Sequence, residues 1–416
     1  MSKKILFVRT HSFPDVGPGT LRVESFCRYL QENGFEVTLL ALDPLQPCAR
    51  GQRYGNGRGS FEIISFPNPW DPASFRGRLE FRLAASLVPE MEYAHCMNRL
   101  IVREGDGLLK RRCFDGLIAS YPPMGSLRAA DTLSRKHGIP WLADLRDIPD
   151  EIDWERKQRI TRRSVRILSQ TCSSASHILT VSEPLKQRLQ SQYGIKAPVT
   201  VVHNGFEEND LAGLERPETG SCFRITYCGH IGYGRDPSLL LDAVDLLLDR
   251  DVDMRGFEIH FFGDCIRTAI NAEQKKCREM VHFHDRVSHH EALAAQTQAA
   301  VLLSLSSPSA KGVLTSKVFE YAMTGRPVLS IPPDNADLDD FIRRARIGVV
   351  AGSSEEAARF ILTHLQAWRA TGKLPRTDPD ISYLAQFTRR NQAARVADVL
   401  RSVLPLAIQR KTGQKS

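Results

Sequence analysis

The sequence predicts an α/β protein of two domains built on parallel sheets, and three observations carry that prediction. Its 416 residues exceed what one ordinary core organises and suit two domains of about 200 residues each. Short apolar runs such as Ile5-Leu6-Phe7-Val8 and Val328-Leu329-Ser330-Ile331 have the continuous character of strands covered on both faces. Segments with helical spacing lie between such runs, so strand and helix alternate along the chain. A composition of 42% hydrophobic and 25% charged residues belongs to a globular chain, not a disordered one.

The opening reads strand, helix, strand: residues 5–8, about 21–33, then 37–42 after Gly34. In the first connection Gly17 and Gly19 allow close backbone approach to a ligand, and Thr20 with Glu24 marks a helix start. The connection is not G-x-G-x-x-G, and Asp43 is the only acidic residue ending the second strand, which disfavours a nicotinamide enzyme. A polar surface loop over 48–60 precedes a strand at 61–65. Region 67–112 interleaves Trp70, Phe75, Phe81, Leu83, Leu87 and Val88 with Arg76, Arg78 and Arg82. That pattern suits an amphipathic surface on anionic lipid or a lipid-linked acceptor, and equally a core-packing helix with a solvated basic face.

A strand at 115–120, a helix to His137 and a strand over 139–143 follow, the last ending in Asp144-Leu145-Arg146-Asp147. Charges at the carboxyl end of a parallel strand stand where open α/β sheets place their ligand crevice. The other reading has Arg146 bridging the two carboxylates structurally. Residues 156–166 form a solvated basic helix. Strands at 178–182 and 199–202 complete a first domain over 1–206, and the polar stretch 207–221 reads as a linker.

The second domain, 222–390, opens with a strand at 223–228, a glycine turn from Gly229 to Arg235 and a helix over 237–248. A glycine-rich turn between strand and helix, ending in a basic residue, is an anion site. Strands at 258–262, 281–283 and 299–305 lead to KGVLTSKVFEYAMTGRPVLSIP, residues 311–332. There Thr315 or Ser316 caps a helix, Val318, Phe319 and Ala322 form its apolar face, Gly325 ends it and Pro327 starts the strand 328–331. Thr315, Ser316 and Lys317 at a helix N-terminus make a diphosphate cradle. Glu320, near the same face, offers a carboxylate to a ribose diol; the spacing also fits a Lys–Glu pair on an ordinary surface helix. A helix over 337–344, a strand at 348–350, and helices over 354–368 and 391–404 finish the chain.

Nine cysteines scattered from Cys27 to Cys277 without a C-x-x-C pair imply reduced thiols in the cytoplasm. His282, His284, His289 and His290 match no zinc spacing, so no metal is expected. No signal peptide and no apolar stretch of about 18 residues is found, so a cytoplasmic protein is expected, with peripheral contact at the inner membrane face. The net charge of +8 favours anionic partners: nucleotides or an anionic membrane surface. Nucleic acid is not expected, because the basic helix lacks interleaved aromatics.

SKVFEYAMTGRPVLSI resembles the nucleotide-sugar signature of the family 4 glycosyltransferases of the GT-B fold, in the bacterial polysaccharide-assembly branch. VSEPLKQRL…VVHNGF and the D-x-R-D stretch at 144–147 are similar to that family as well. The resemblance implies two Rossmann-like domains facing across a cleft, with the final helix returning to the first. It implies retaining transfer from a UDP- or GDP-sugar, without cofactor or metal, to a glycan or polyprenyl-linked acceptor in lipopolysaccharide or exopolysaccharide synthesis. It assigns Gly17, Gly19, His230, Arg235, Thr315, Ser316, Lys317 and Glu320 to the donor, and Asp144, Asp147 and Glu320 to catalysis, the aspartates as contacts to acceptor hydroxyls. Val287-Ser288-His289-His290-Glu291 would lie near the nucleotide base. His230 stands where the family usually has arginine, Arg235 where it has lysine, and Gly312 where many members carry a glutamate eight positions before Glu320. Two rivals remain: a hydrolysing nucleotide-sugar epimerase on this fold, and a catalytically silent nucleotide-sugar-binding subunit.

Overall fold

The computed structural model describes residues 2–12, 18–42, 53–54, 61–66, 90–149, 158–232, 235–263, 271–306, 314, 316–334 and 336–404. It divides into two compact units. Unit 1 comprises Met1–Val181, Lys186–His203 and Arg389–Ser416; unit 2 comprises Ser182–Leu185 and Asn204–Thr388. No helix among the described residues is long and apolar enough to cross a membrane.

The strands of unit 1 are β1 (Lys3–Ser12), β2 (Phe35–Leu42), β3 (Arg53–Tyr54), β4 (Phe61–Phe66), β5 (Gly116–Tyr121), β6 (Trp141–Leu145), β7 (His177–Thr180) and β8 (Val199–Val201). They form one sheet in the order β3-β4-β2-β1-β5-β6-β7-β8, parallel except for the β3–β4 pair. Its helices are α1 (Pro18–Glu32), α2 (Glu90–Arg111), α3 (Met124–His137), α4 (Gln158–Cys172), most of α5 (Glu183–Ser191), and α12 (Arg389–Val403). Central β1 is sealed on both faces, with Ile5, Leu6, Phe7 and Val8 fully buried, which is why its sequence is apolar without alternation. The last helix, α12, belongs to unit 1: Arg390 pairs with Glu32 of α1, and Arg401 Nη2 donates to the Asn33 carbonyl at 2.9 Å.

One polar knot ties the middle of this sheet to α1. Arg22 grips Asp144 through Nε and Nη2, the shortest contact being 2.8 Å, and Ser120 Oγ donates to Asp144 Oδ2 at 2.8 Å. The Arg22 side chain is 5% exposed and the Asp144 side chain 0%. Arg22 Nη1 reaches the His203 carbonyl at 3.0 Å, and His203 Nδ1 contacts the Val181 carbonyl at 2.9 Å. The guanidinium also lies 4.6 Å from the Phe26 ring centroid, so its flat face is covered as well as its donors used.

Unit 2 contains β9 (Phe223–Cys228), β10 (Phe257–Phe262), β11 (Val281–His284), β12 (Val301–Leu305), β13 (Val328–Ile331) and β14 (Gly348–Val350). All pairs are parallel, in the order β11-β10-β9-β12-β13-β14. The helices are α6 (Ser238–Asp249), α7 (His289–Gln298), α8 (Ser316–Thr324), α9 (Asp337–Arg344), α10 (Ser354–Thr371) and the short α11 (Ile381–Ala385). After Gly263 the described part holds two short 3₁₀ turns, Asn271–Gln274 and Lys276–Met280. They follow α6 because the Cys277 amide donates to Asp245 Oδ1 at 2.9 Å. The five residues of α11 have no helical periodicity to read; Asp380 caps them by accepting from the Tyr383 amide.

Unit 2 has its own buried guanidinium. Arg326, 1% exposed, follows Gly325 in the turn between α8 and β13 and donates to the carbonyls of Thr297, Pro375 and Pro217. Pro217 lies in the polar stretch 207–221, where Thr219 also bridges Lys373; this stretch therefore belongs to unit 2.

Three outcomes follow from these contacts. Arg22→Ala or Asp144→Ala should each destabilise unit 1 by about 3–5 kcal/mol, because each leaves a buried charge unpaired, whereas Arg22→Met with Asp144→Leu should recover most of that loss. Hydrogen exchange of β6 peptides across a urea series reads this, and a double variant no better than the singles would show that the pair holds more than its own charges. Arg326→Lys should fail to rescue Arg326→Ala in unit 2 peptides, since a point charge cannot serve three carbonyls lying in different directions. Burial holds the His203 pKa down at about 4 against an ordinary 6.5, with Arg395 and Arg22 adding to the depression and the Val181 hydrogen bond opposing it. Between those values the unfolded chain binds a proton that the folded chain refuses, so stability should fall as pH drops from 6.5 towards 4, by at most about 3 kcal/mol. His203→Gln should flatten that acid slope in chemical denaturation.

Candidate active site

Topology selects where each sheet can hold a ligand. In unit 2 the chain runs outward from β9 through β10 to β11, then restarts on the other side of β9 at β12. The order therefore switches between β9 and β12, and the crevice outside their carboxyl ends is where open parallel sheets bind ligands. Two connections leave that edge: the turn after Cys228, and the segment that enters α8.

Those connections meet at Lys317. Its Nζ lies 4.9 Å from the centroid of the Tyr227 ring and against Gly229, where an added Cβ would overlap the ammonium. Gly229 also has φ 154°, so both backbone and space demand glycine there. Tyr227 is held in turn, its hydroxyl donating to the His230 carbonyl at 2.8 Å. Gly232 and Arg235 pair through their backbones ahead of α6. A cation, a glycine turn and the N-terminus of α8 thus converge, which is the arrangement an anion needs.

Glu320, one turn further along α8, is 8% exposed. Its Oε1 lies 3.1 Å from His289 Nε2, while Oε2 makes no hydrogen bond among the described residues. His289 was not singled out as a partner for Glu320, yet a local signal places it. Ser288 and Glu291 form a capping box, with Ser288 N donating to Glu291 Oε2 at 2.8 Å, and this sets His289 at the first turn of α7. The opposite face of α8 is apolar as expected: Val318, Phe319 and Ala322 are buried with Phe341 and Phe387. Gly325 ends the helix at φ 70°.

In unit 1 the D-x-R-D stretch separates into distinct roles. Asp144 has no exposed surface, and both its oxygens are taken by Arg22 and Ser120. The expected contact to acceptor hydroxyls is thus corrected for Asp144: its carboxylate anchors α1 to β6 and has no surface to offer a hydroxyl. Arg146 does not bridge the aspartates as a pair either. Its Nη2 donates to the Pro122 carbonyl at 3.1 Å, and its Nε is buried without a hydrogen-bond partner among the described residues. Burial lowers its pKa, with neighbouring Asp147 and Asp144 opposing the shift. Asp147 is half-buried, and it is the carboxylate of this stretch left with accessible surface. Gly19, in the first turn of α1, leaves room for the Arg146 guanidinium, which would overlap any Cβ there. Gly17, Gly312, Thr315 and the aromatic-basic stretch from Trp70 to Val88 lie outside the described residues, as does the side chain of Ser316.

Two family models match the chain, one described as "Glycosyl transferase 4-like domain" over residues 19–205 and one as "Glycosyl transferase-like" over residues 239–377. No curated protein matches. Among solved structures the chain is similar to sucrose-phosphate synthase from Thermosynechococcus elongatus, at 12% identity and TM-score 0.62 with 96% of each chain covered. It is similar to Anabaena HepE in complex with UDP and glucose, at 14% identity and TM-score 0.61, covering 96% of this chain and 100% of that one. A third likeness is to an alpha,alpha-trehalose-phosphate synthase (UDP-forming) from Burkholderia vietnamiensis, at 12% identity and TM-score 0.62, covering 96% and 100%. At these identities the structures speak for the fold, and the two family models, spanning more than three quarters of the chain, speak for the activity. Two parallel sheets with interleaved helices, matched in this way over both halves, make the chain a member of the family 4 glycosyltransferases of the GT-B fold, and so a glycosyltransferase.

Proposed function

We propose that this glycosyltransferase moves a sugar, with retention at the anomeric carbon and without a catalytic metal, from a UDP- or GDP-sugar to a glycan or polyprenyl-linked acceptor in cell-surface polysaccharide synthesis. The observation that carries the donor assignment is the Lys317 ammonium set against Gly229 at the switch point of the unit 2 sheet. A diphosphate there would meet Lys317, the N-terminus of α8 and Arg235, and those positive groups would stabilise the departing nucleotide as the glycosidic bond breaks. Glu320 would accept from the ribose hydroxyls through Oε2, with His289 steadying Oε1. HepE, a structural neighbour, is described in complexes with UDP and with UDP-glucose, which supports a uridine donor among the candidates. On the acceptor side Asp147 is the contact, and Asp144 acts through Arg22 as a positioning residue. The net charge of +8 supports an acceptor presented at an anionic membrane surface.

Calorimetry with UDP and GDP tests the donor half. Lys317→Ala and Arg235→Ala should each weaken nucleoside diphosphate binding by about 1.5–3 kcal/mol, roughly ten- to a hundredfold in Kd, without unfolding the protein. Glu320→Gln should raise the donor KM while the melting temperature barely moves. Unchanged affinity in both cation variants would remove the diphosphate from this turn. Proton NMR of the product formed from an α-linked donor tests the chemistry: an α linkage is expected, a β linkage would overturn retention, and sugar interconversion without transfer would point to an epimerase.

A further inference from the structure

The outer strands of the unit 2 sheet carry a polar cluster that the donor reading leaves unused. β10 buries Phe257, Ile259 and Phe261 on one face and turns Glu258, His260 and Phe262, all half-buried, to the other. The parallel register sets His260 beside His282 and Phe262 beside His284. β11, which carries both of those histidines, is the edge strand, hydrogen-bonded to β10.

Side-chain geometry gathers these groups around one point. Glu258 Oε2 lies 3.0 Å from His260 Nε2, and the His260 and His282 ring centroids are 4.9 Å apart. One ligand atom from each of Glu258, His260 and His282 falls within 4.8 Å of the other two. A zinc-like cation, with bonds of about 2.0–2.2 Å to nitrogen and oxygen, holds tetrahedral ligand atoms roughly 3.3–3.6 Å apart, so a small rotation of exposed His282 closes the set. Arg224 Nε donates to Glu258 Oε2 at 2.8 Å, which fixes the carboxylate. His260 Nδ1 lies 2.9 Å from His284 Nε2. A metal on His260 Nε2 would leave the ring proton on Nδ1, donated to His284, and metal-bound histidines are commonly oriented by such an outer acceptor.

We propose that Glu258, His260 and His282 form a binding site for a divalent transition metal of the zinc class, with His284 orienting His260, and that the ion clips edge strand β11 to β10. Two imidazoles with one carboxylate favour zinc, cobalt, nickel or copper over magnesium or calcium, which prefer all-oxygen shells. This site shares no residue with the proposed donor pocket, and it would be structural, not a participant in transfer. It revises the expectation of no metal, which rested on linear spacing; these ligands come from two strands and converge through register alone.

The test uses the full chain without a histidine tag, stripped with chelator and titrated with cobalt(II). One cobalt per chain is expected, with visible d–d absorption that zinc abolishes by displacement, and a melting temperature raised by either metal. His282→Ala, at an exposed position that folding does not need, and Glu258→Gln should each weaken cobalt binding tenfold or more. His284→Gln should weaken it about tenfold, as loss of an outer partner does. His290→Ala, a surface imidazole outside the cluster, should bind as the wild type does. No d–d absorption in the wild type, unchanged binding in His282→Ala, or loss of binding in His290→Ala would each overturn the assignment.

Discussion

Parallel strand pairing is the constraint from which the rest of both units follows. Each crossover must return the chain to the same end of the sheet, so the carboxyl ends of all the parallel strands open on one edge and helices cover both faces. Coverage makes the inner strands largely apolar, as in Val301–Leu305, where every residue is buried, while the outer β10 and β11 keep a polar, partly exposed face. The common edge gathers loops from strands distant in sequence, and the reversal of strand order between β9 and β12 leaves room among them. Lys317 and Gly229 meet there because their strands are neighbours, though 88 residues of chain separate them.

Each unit places a buried arginine at one end of its sheet, at the carboxyl ends of the strands in unit 1 and at the amino ends in unit 2. Arg22 draws α1, β5, β6 and the His203 backbone together through a carboxylate that no solvent reaches. Arg326 draws the end of α7, the 207–221 stretch and the segment after α10 around the turn that follows α8. A guanidinium suits both places, since its planar fork donates in several fixed directions while its faces pack against apolar neighbours. Neither arrangement is economical in stability alone. Arg326 fixes the turn in which α8, the helix that carries Lys317 and Glu320, ends.

In the proposed reading, the unit 2 edge would take an anion with a polar tail. The Lys317 ammonium faces the Tyr227 ring, whose electron-rich face attracts the cation. Glu320, on the same helix, contacts His289 on α7. With the roles proposed above, one helix would address both a phosphate, through Lys317, and a sugar hydroxyl, through Glu320.

The local content of the chain was legible without a structure. β9, β13 and β14 were located to the residue: β13 is an apolar run buried throughout, as a strand covered on both faces should be, while β9 mixes Arg224 and Thr226 among apolar residues and β14 is partly exposed. Gly325, and the apolar face of Val318, Phe319 and Ala322, defined α8, because caps and helical periodicity are properties of neighbouring residues. The S-K…E-Y-x-x-x-G-x-P-V pattern identified the family on the same local basis. Pairings across the sheets were not legible, and tertiary structure alone decided them. Arg22 rather than Arg146 took Asp144; His289 found Glu320; and His260, which no spacing rule marked, joined Glu258, His282 and His284. In each case the partners sit on separate elements whose juxtaposition is set by strand order and register, quantities that depend on how the whole sheet packs and that no window of sequence contains.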